Sequence, residues 1–266
     1  MSNPALAIQV EAAKAYEALF VPALFGQWAP RVVDAAGVTP GQRVLDVACG
    51  TGVLAREAYL RTGPTGDIVG LDRSAGMLTV AKEVAPSIDW QQGAAESMPF
   101  PDASFDAVLS QFGLMFMERE KAIREMLRVL KPAGRLAVAV WDGVENMPAF
   151  GAEIELIERL AGPRAANAVR APFVLGNREH LTQLFDGAGA GSVAINTLQG
   201  MAHFPSVRVL VEADLRGWLP VAGVNLTEEL IGSVLAEAER VLEPYAKPDG
   251  RVAFEVQVHV VTATKP

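Results

Sequence analysis

The segment that most constrains this fold is Val44-Leu45-Asp46-Val47-Ala48-Cys49-Gly50-Thr51-Gly52. It has the pattern of an apolar strand that ends in a Gly-x-Gly loop and is followed by a helix. Glycines allow a tight turn and let a ligand approach the backbone, and the N–H groups at the start of a helix can bind an anion. Together with Ala55 the segment also satisfies the dinucleotide pattern G-x-G-x-x-A, so the glycines alone leave the cofactor open.

Strands and helices alternate around this loop. Short apolar runs predict strands at Arg43–Ala48, Asp67–Asp72, Ile88–Gln92, Phe105–Ser110 and Arg135–Val140. Helices are predicted from the glycine loop to about Arg61, at Ala75–Val84 and at Glu118–Leu130. Strands with little alternation are typical of parallel strands covered on both faces. Repeated βα units with short connections therefore predict an α/β fold, Rossmann-like and doubly wound, with a mostly parallel sheet.

The pattern becomes mainly helical after Trp141. Helices are predicted at Ala149–Ala161, Arg178–Phe185, Ser206–Leu219 and Thr227–Leu242. Two long strands are expected to complete a seven-stranded sheet with an antiparallel last strand, at Ser192–Met201 and Arg251–Thr262. Near the other end of the chain, Ala5–Phe20 has the spacing of an amphipathic helix, which Pro22 would interrupt.

These elements predict one domain over residues 1–266. Residues 1–30 would form a helical lid, and residues 31–141 the cofactor-binding core. Residues 142–266 would supply further helices and the last two strands, with a helical insert at about 206–244 that caps the substrate.

Charge and composition favour a small-molecule partner. The chain holds 23 Lys and Arg against 31 Asp and Glu, a net charge of −8. A protein that binds nucleic acid normally presents a basic face, because neutralising phosphates supplies much of its affinity. No basic run stands out here, so nucleic acid is disfavoured as a partner. The single cysteine, Cys49, and three histidines without ligand spacing disfavour a metal centre.

Neither a membrane span nor a secretory signal is predicted. The longest stretch without formal charge, Gly187 to Val207, is interrupted by glycines and polar residues. Glu11, Lys14 and Glu17 lie where a secretory signal would need apolar residues. We therefore expect a cytoplasmic protein.

Acidic residues follow three of the predicted strands. Asp46 lies at the end of the first, Asp72 ends the second, and Glu96 comes after the third. Ligands of open α/β sheets bind outside the carboxyl ends of the strands, where a carboxylate in the position of Asp72 can accept hydrogen bonds from ribose hydroxyls. A carboxylate in the position of Asp46 would repel a pyrophosphate, but it suits an ammonium group.

Four segments in order resemble the motifs of class I S-adenosylmethionine-dependent methyltransferases. They are VLDVACGTG, GLDRSAGML, GAAESMPFPDASFDAVLSQFGLMFM and EMLRVLKPAGRLAVAVW. The resemblance covers about Arg31 to Trp141 and is greatest to the group that includes the ubiquinone and menaquinone C-methyltransferases. It implies transfer of a methyl group from S-adenosylmethionine to a small acceptor by in-line displacement, with S-adenosylhomocysteine as the product. The many apolar residues of the second half suggest an apolar or aromatic acceptor.

The resemblance also implies ten residues that bind the cofactor. They are Asp46 at its ammonium group, Ala48, Gly50 and Gly52 along its methionine moiety, Asp72 at the ribose, Arg73 and Met77 beside the adenine, Ala95 and Glu96 at the adenine edge, and Gln111 near the transferred methyl.

Candidates for acceptor binding and for catalysis are fewer. The residues Tyr16, Trp28, Met115 and Trp141 are candidates for contact with the acceptor, and Tyr16 or Trp28 could close a lid over the sulfonium. A general base is needed only if the nucleophile must lose a proton during attack, and His203 and Asp142 are the candidates for that role.

Two other functions remain open from the sequence. An NAD(P)-dependent oxidoreductase shares the strand, glycine loop and helix, although Asp46 and the lack of a Tyr-x-x-x-Lys pair argue against it. A non-catalytic S-adenosylmethionine-binding protein would carry the same motifs. The acceptor, the atom that receives the methyl group and the oligomeric state are also left open.

Overall fold

A seven-stranded sheet forms the framework of the structure, a computed structural model that describes residues 4–266. The strands are β1 Arg43–Val47, β2 Asp67–Asp72, β3 Asp89–Gln92, β4 Phe105–Gln111, β5 Leu130–Trp141, β6 Gly191–Phe204 and β7 Val252–Thr264. Their order across the sheet is β3-β2-β1-β4-β5-β7-β6. From β1 the chain adds β2 and β3 on one side and β4 and β5 on the other. This change of side is the topological switch point at which ligands of such sheets bind.

The first five strands are parallel, as the sequence predicts. β1 pairs with β2 and with β4, so that Asp46 lies opposite Gly70 on one side and Leu109 on the other. β7 runs antiparallel to β5. The N–H of Lys265, just after β7, donates to the carbonyl of Gly134, and the N–H of Asp142 donates to the carbonyl of Gln257. The predicted Rossmann-like sheet with an antiparallel last strand is confirmed.

Helices connect these strands. They are α1 Pro4–Ala15, α2 Ala29–Ala36, α3 Val53–Thr62, α4 Ala75–Val84, α5 Arg119–Val129, α6 Pro148–Ala161, α7 Pro163–Arg170, α8 Arg178–Gly187, α9 Val207–Glu212, α10 Leu219–Val221 and α11 Glu228–Val241. Two π-helical segments continue α1 and α9, namely Tyr16–Phe25 and Ala213–Trp218. The helix α7 was not predicted from the sequence.

The predicted interruption at Pro22 is wrong, because the helical path continues to Phe25. Proline has no N–H and its ring clashes with the carbonyl four residues earlier in a regular α-helix. The wider turn of a π-helix changes the hydrogen-bonding register, which accommodates the proline within the helical path. We call Tyr16–Phe25 the π segment.

The strand β5 begins earlier than the predicted Arg135. Phe105 of β4 pairs with Leu130, but Ala107, two residues later, already pairs with Arg135. The residues between Leu130 and Arg135 bulge out of the pairing, and Ala133 has a φ of 61°. The predicted Pro132-Ala133-Gly134 turn is therefore a bulge inside a longer strand.

The chain divides into two compact units. The first runs to Val140 and includes Asn177–Leu198 and His259–Pro266, and the second consists of Trp141–Gly176 and Gln199–Val258. The first unit has an aliphatic core within the sheet, in which the side chains of Leu45, Leu71 and Leu109 are buried.

The second unit has an aromatic core. Phe150 packs against Phe173 and Phe254, with ring centroids 5.2 and 5.1 Å apart. The predicted cap insert, residues 206–244, falls within this unit. Within residues 4–266, no helix combines the length and the apolar character needed to cross a bilayer.

Candidate functional site

The loop after β1 has an unusual backbone. Ala48, Gly50 and Gly52 all have positive φ angles, of 56°, 56° and 90°. A Cβ at Gly52 would lie 2.2 Å from a ring atom of Trp90, so only glycine fits there. The left-handed conformation costs free energy at Ala48, and strain of this kind is concentrated at functional sites. The three positions that the resemblance assigns to the methionine moiety therefore present backbone rather than side chain.

Asp72 holds this loop in place. Its Oδ2 accepts from the N–H of Gly50 at 2.9 Å, and its Oδ1 accepts from the N–H of Ser74 at 2.8 Å. Burial raises the pKa of Asp72, and these amide donors act in the opposite direction. The cap of α4 is supplied by Ser74, whose Oγ accepts from the N–H of Met77. Asp72 is thus a link between the loop and β2 as well as a candidate ribose ligand.

Asp46 is buried at the end of β1, with a relative exposure of 1%. Burial, together with the negative charge of Asp72, holds the pKa of Asp46 above its ordinary value, while the N–H of Ala55 counteracts this shift. Its Oδ2 has no hydrogen-bond partner within residues 4–266. A cationic donor at this oxygen would satisfy it and stabilise the ionised carboxylate.

Three more buried oxygens around the loop lack a hydrogen-bond partner in the described part of the chain. They are Thr51 Oγ1, Gln111 Oε1 and Glu17 Oε2. Buried polar atoms are almost always hydrogen-bonded, because desolvating them without compensation is costly. The amide and carboxylate oxygens only accept hydrogen bonds and the Thr51 hydroxyl can accept as well, so this set is suited to a ligand that brings N–H donors and positive charge.

The π segment packs against the end of β4. Tyr16 stacks on Phe25 with ring centroids 5.2 Å apart, and Phe25 in turn lies 5.4 Å from Phe112. Gln111 Nε2 donates to the carbonyl of Phe25 at 3.2 Å. Burial and the carboxylates of the site raise the pKa of the Tyr16 hydroxyl. The predicted lid residue Tyr16 therefore lies beside the predicted cofactor ligands.

Phe112 follows β4 with a φ of 56°. Positive φ is rare for a bulky side chain, and this strained turn directs the chain away from the sheet directly after Gln111. The N–H of Phe112 donates to the carbonyl of Ala139, which fixes the turn to β5. Phe112 and Phe25 are site residues that sequence reasoning did not assign.

The predicted adenine side also comes together. Arg73 Nη2 lies 3.5 Å from Glu96 Oε2, and Glu96 Oε1 accepts from the N–H of Glu118 at 3.0 Å. Ala95 is buried, and Met77 lies in the first turn of α4. Arg73 of the second motif and Glu96 of the third are therefore neighbours.

A single arginine fixes the loop that carries Ala95 and Glu96. Arg128 on α5 donates to the carbonyls of Met98 and Phe100 at 3.2 and 2.8 Å. Glu125 binds the same guanidinium at 2.6 and 2.8 Å and accepts from the N–H of Met98 at 2.8 Å. Arg128 and Glu125 belong to the fourth motif, but a pattern of residue types does not show which loop they hold.

The candidate acceptor and catalytic residues occupy different environments. Met115 is buried in the first unit, and Trp28 is fully buried there beneath the guanidinium of Arg31, 5.0 Å from its ring. Trp28 is thus a core residue in this structure. Trp141 belongs to the second unit and packs 6.4 Å from Phe173.

The two candidate bases are also in the second unit. The carboxylate of Asp142 is buried and accepts from the N–H of Gly143 at 2.7 Å. His203 lies in β6 with an exposed side chain. Among residues 4–266, no three His, Cys, Asp or Glu side chains are grouped as metal ligands.

The strand order, the antiparallel β7 and the acidic, glycine-rich loop define the Rossmann-like methyltransferase class. A family model described as "Methyltransferase domain" matches residues 45–138. Demethylmenaquinone methyltransferase of Paenarthrobacter aurescens is 37% identical over 193 residues, which cover 65% of this chain and 72% of that protein. The chain belongs to the methyltransferase family that includes this protein.

Two other known proteins share part of the sequence or the fold. Demethylmenaquinone methyltransferase of Renibacterium salmoninarum is 51% identical over 126 residues, 47% of this chain and 50% of that protein, so the chain matches only half the length of that relative. Phosphoethanolamine N-methyltransferase 2 of Haemonchus contortus, in complex with S-adenosylhomocysteine, has the same fold at a TM-score of 0.59. It is 18% identical, and the match covers 96% of this chain and 57% of that one. The family resemblance seen in the sequence is confirmed.

Proposed function

We propose that this protein transfers a methyl group from S-adenosylmethionine to a small apolar or aromatic acceptor. The observation that carries the proposal is the set of four buried, unsatisfied oxygens, from Glu17, Asp46, Thr51 and Gln111, around a loop of left-handed residues. When bound, the cofactor supplies a methyl group already activated on a sulfonium. The protein must then mainly hold nucleophile, methyl and sulfur in line and exclude water.

Different residues of the first unit would bind different parts of the cofactor. Asp46 would accept from its ammonium group, and the backbone of the glycine loop would line its methionine moiety. The two carboxylate oxygens of Asp72, each engaged by one amide, retain lone pairs for the ribose hydroxyls. Arg73, Met77, Ala95 and Glu96 would border the adenine, and Gln111 Oε1 would lie near the methyl group.

The same geometry disfavours a nicotinamide dinucleotide. A pyrophosphate carries negative charge, and the loop lies beside the buried Asp46 and the largely buried Asp72. Like charges repel strongly where the effective dielectric constant is low. The relatives reported above are methyltransferases, which also argues against an oxidoreductase.

For the acceptor we propose a quinone-type ring. The names of the two curated relatives specify demethylmenaquinone as their substrate. His203 and Asp142 remain the candidates for a general base, which a phenolic acceptor would require only if it loses its proton during the attack.

The test is isothermal titration of the purified chain with S-adenosylhomocysteine, with NADH as the parallel ligand. We expect micromolar binding of S-adenosylhomocysteine, and a loss of at least about tenfold in Asp72→Asn, because a hydrogen bond to a charged group contributes about 1.5–3 kcal/mol. Asp67→Asn is the matched control. Asp67 begins the same strand, but its side chain is exposed and pairs with Arg43 at the surface, so the affinity of the Asp67→Asn variant should be unchanged.

Two results would contradict the proposal. Binding of NADH without S-adenosylhomocysteine would move the protein to the oxidoreductases. Turnover is followed by mass spectrometry of the methylated ring, with reduced demethylquinones as the acceptors. Binding of S-adenosylhomocysteine without any such turnover would favour a non-catalytic cofactor-binding protein.

A further inference from the structure

Glu17 lies in the π segment, outside every cofactor motif of the sequence, yet it faces the same loop. Its Oε1 accepts from Arg56 Nη2 at 2.8 Å. Its Oε2 is buried and has no hydrogen-bond partner anywhere between residues 4 and 266. One oxygen of this carboxylate is therefore engaged and the other is left as an uncompensated acceptor, which is costly unless a ligand supplies the donor.

Arg56 determines where this carboxylate lies. It belongs to α3, the helix that follows the glycine loop, and its Nη1 donates to the carbonyl of Thr51 at 3.0 Å. A guanidinium is a rigid planar fork, so the two contacts hold Glu17 one guanidinium width from the loop. The side chain of Thr51 is itself buried with an unsatisfied Oγ1. The two residues that Arg56 contacts, Glu17 and Thr51, thus each have a buried side-chain oxygen without a hydrogen-bond partner among residues 4–266.

The charge of the surroundings also favours a cation. The ring of Tyr16, the residue before Glu17, is influenced by the carboxylates of Asp72, Glu17 and Asp46, all of which raise its pKa. Arg56 forms the ion pair with Glu17, while the buried Asp46 oxygen has no cationic partner among residues 4–266. The π segment therefore adds a third carboxylate to an acidic pocket.

We propose that Glu17 is a cofactor ligand: Oε1 holds Arg56, and Oε2 binds the positive charge of the methionine moiety. This inference rests on the proposed function and adds to it a specificity residue supplied by the N-terminal segment. The carboxylate would discriminate in favour of ligands that carry the ammonium or sulfonium group and against anionic ones.

The competing explanation is that Glu17 only fastens the π segment to α3. Two variants separate these roles, because Glu17→Gln and Arg56→Gln both remove the same ion pair. Only Glu17→Gln removes the carboxylate from the pocket. A fastening role predicts the same loss of affinity in both variants, whereas a ligand role predicts a larger loss in Glu17→Gln.

The experiment measures dissociation constants by titration of the full chain with S-adenosylmethionine, S-adenosylhomocysteine and 5′-methylthioadenosine. The last ligand keeps the nucleoside but has neither an ammonium nor a sulfonium group. We expect Glu17→Gln to weaken S-adenosylmethionine, which carries both the ammonium and the sulfonium group, at least about tenfold more than it weakens 5′-methylthioadenosine. In Arg56→Gln, which keeps the carboxylate but no longer fixes its position, this difference between the two ligands should be smaller. Because each comparison is made within one variant, a general loss of stability does not imitate the result.

The pattern of losses identifies the contact. Equal loss of S-adenosylmethionine and S-adenosylhomocysteine supports a contact with the ammonium group, and a greater loss of S-adenosylmethionine supports a contact with the sulfonium. If Glu17→Gln and Arg56→Gln behave alike on all three ligands, the proposal is overturned while the proposed function stands. A wild-type chain that binds none of the three overturns both.

Discussion

Glu153 and Asp214 form an acidic pair in the second unit that the proposed chemistry does not use. Glu153 lies on α6 and is fully buried, and Asp214 lies in the π-helical segment Ala213–Trp218. Burial raises the pKa of Asp214 to about 7. Burial and the neighbouring Asp214 also hold the pKa of Glu153 above its ordinary value. Each carboxyl group of the pair therefore keeps its proton to a higher pH than a separate carboxyl group would.

This pair predicts a pH-dependent stability. Between the ordinary value of 3.8 and the raised value of about 7, the folded chain holds more protons at Asp214 than the unfolded chain. The free energy of unfolding therefore falls as the pH rises through this window. Asp214→Asn removes the titrating group, so the variant should be more stable than the wild type at pH 8 by about 1 kcal/mol or more and similar to it at pH 5.

Chemical denaturation at the two pH values measures this difference. Glu155→Gln is the control, because Glu155 lies on the same helix but is exposed. If Asp214→Asn is destabilised equally at pH 5 and pH 8, the pair does not share a proton in the folded state.

Sequence reasoning located the acidic residues of the candidate cofactor site but not the residues that they contact. Asp46 and Asp72 end strands, and the strand ends of a parallel sheet meet at one edge, so a local pattern was sufficient. The contact of Glu17 with Arg56 joins residues 39 positions apart in the chain. Residue type and spacing carry no signal for such a pair, because it depends on how the N-terminal segment folds back.

Among the elements, α1 packs against α4 at a position that requires a glycine. A Cβ at Gly76 in α4 would lie 2.6 Å from the Cβ of Gln9 and 2.7 Å from its carbonyl atoms. The two helices therefore approach closely because position 76 has no side chain. The glycine belongs to the second cofactor motif, and its packing role provides a way to displace the predicted lid without altering a polar residue.

We expect Gly76→Ala to weaken binding of S-adenosylhomocysteine about fivefold or more, because overpacking of a close contact costs about 1–3 kcal/mol and would shift α1 together with the π segment. Titration measures this change. Gly232→Ala is the matched control, since Gly232 lies in α11 with no atom within 4 Å of the added Cβ. The control should keep its affinity and gain about 0.5–1 kcal/mol of stability. Unchanged affinity in Gly76→Ala would show that α1 is not part of a cofactor lid.

The elements themselves were predicted well where the pattern is local. β2 and α4 have the predicted bounds, because a run of apolar residues and a serine cap mark them directly. The π segment and the bulge of β5 were not predicted. Both depend on hydrogen-bond registers that the chain selects only when it packs, and Pro22 by itself indicates an interruption.

For the molecule as a whole, cofactor binding and folding are linked. A ligand that binds only the folded state stabilises it according to its concentration relative to its dissociation constant. At about one hundred times that constant, S-adenosylhomocysteine should raise the free energy of unfolding by about 2.7 kcal/mol. For a compact unit of about 150–250 residues this corresponds to a rise in Tm of about 5–10 °C.

Differential scanning calorimetry with S-adenosylhomocysteine, and with NADH as the control, checks this expectation. The shift should come with S-adenosylhomocysteine and fall by about half or more in Asp72→Asn at the same ligand concentration. An equal shift with NADH would mean that the loop accepts nucleotides in general, contrary to the charge of the pocket.

The sequence by itself determined the fold class and the position of the cofactor loop. Apolar runs and glycine turns are local signals, and short right-handed connections leave few ways to assemble them. Only the tertiary structure decided that Trp28 is a core residue, that Arg128 fixes the adenine-side loop, and that Glu17 reaches the site. These features depend on which side chains meet across long separations in the chain, and burial and hydrogen bonding select among the possible partners only in the packed state.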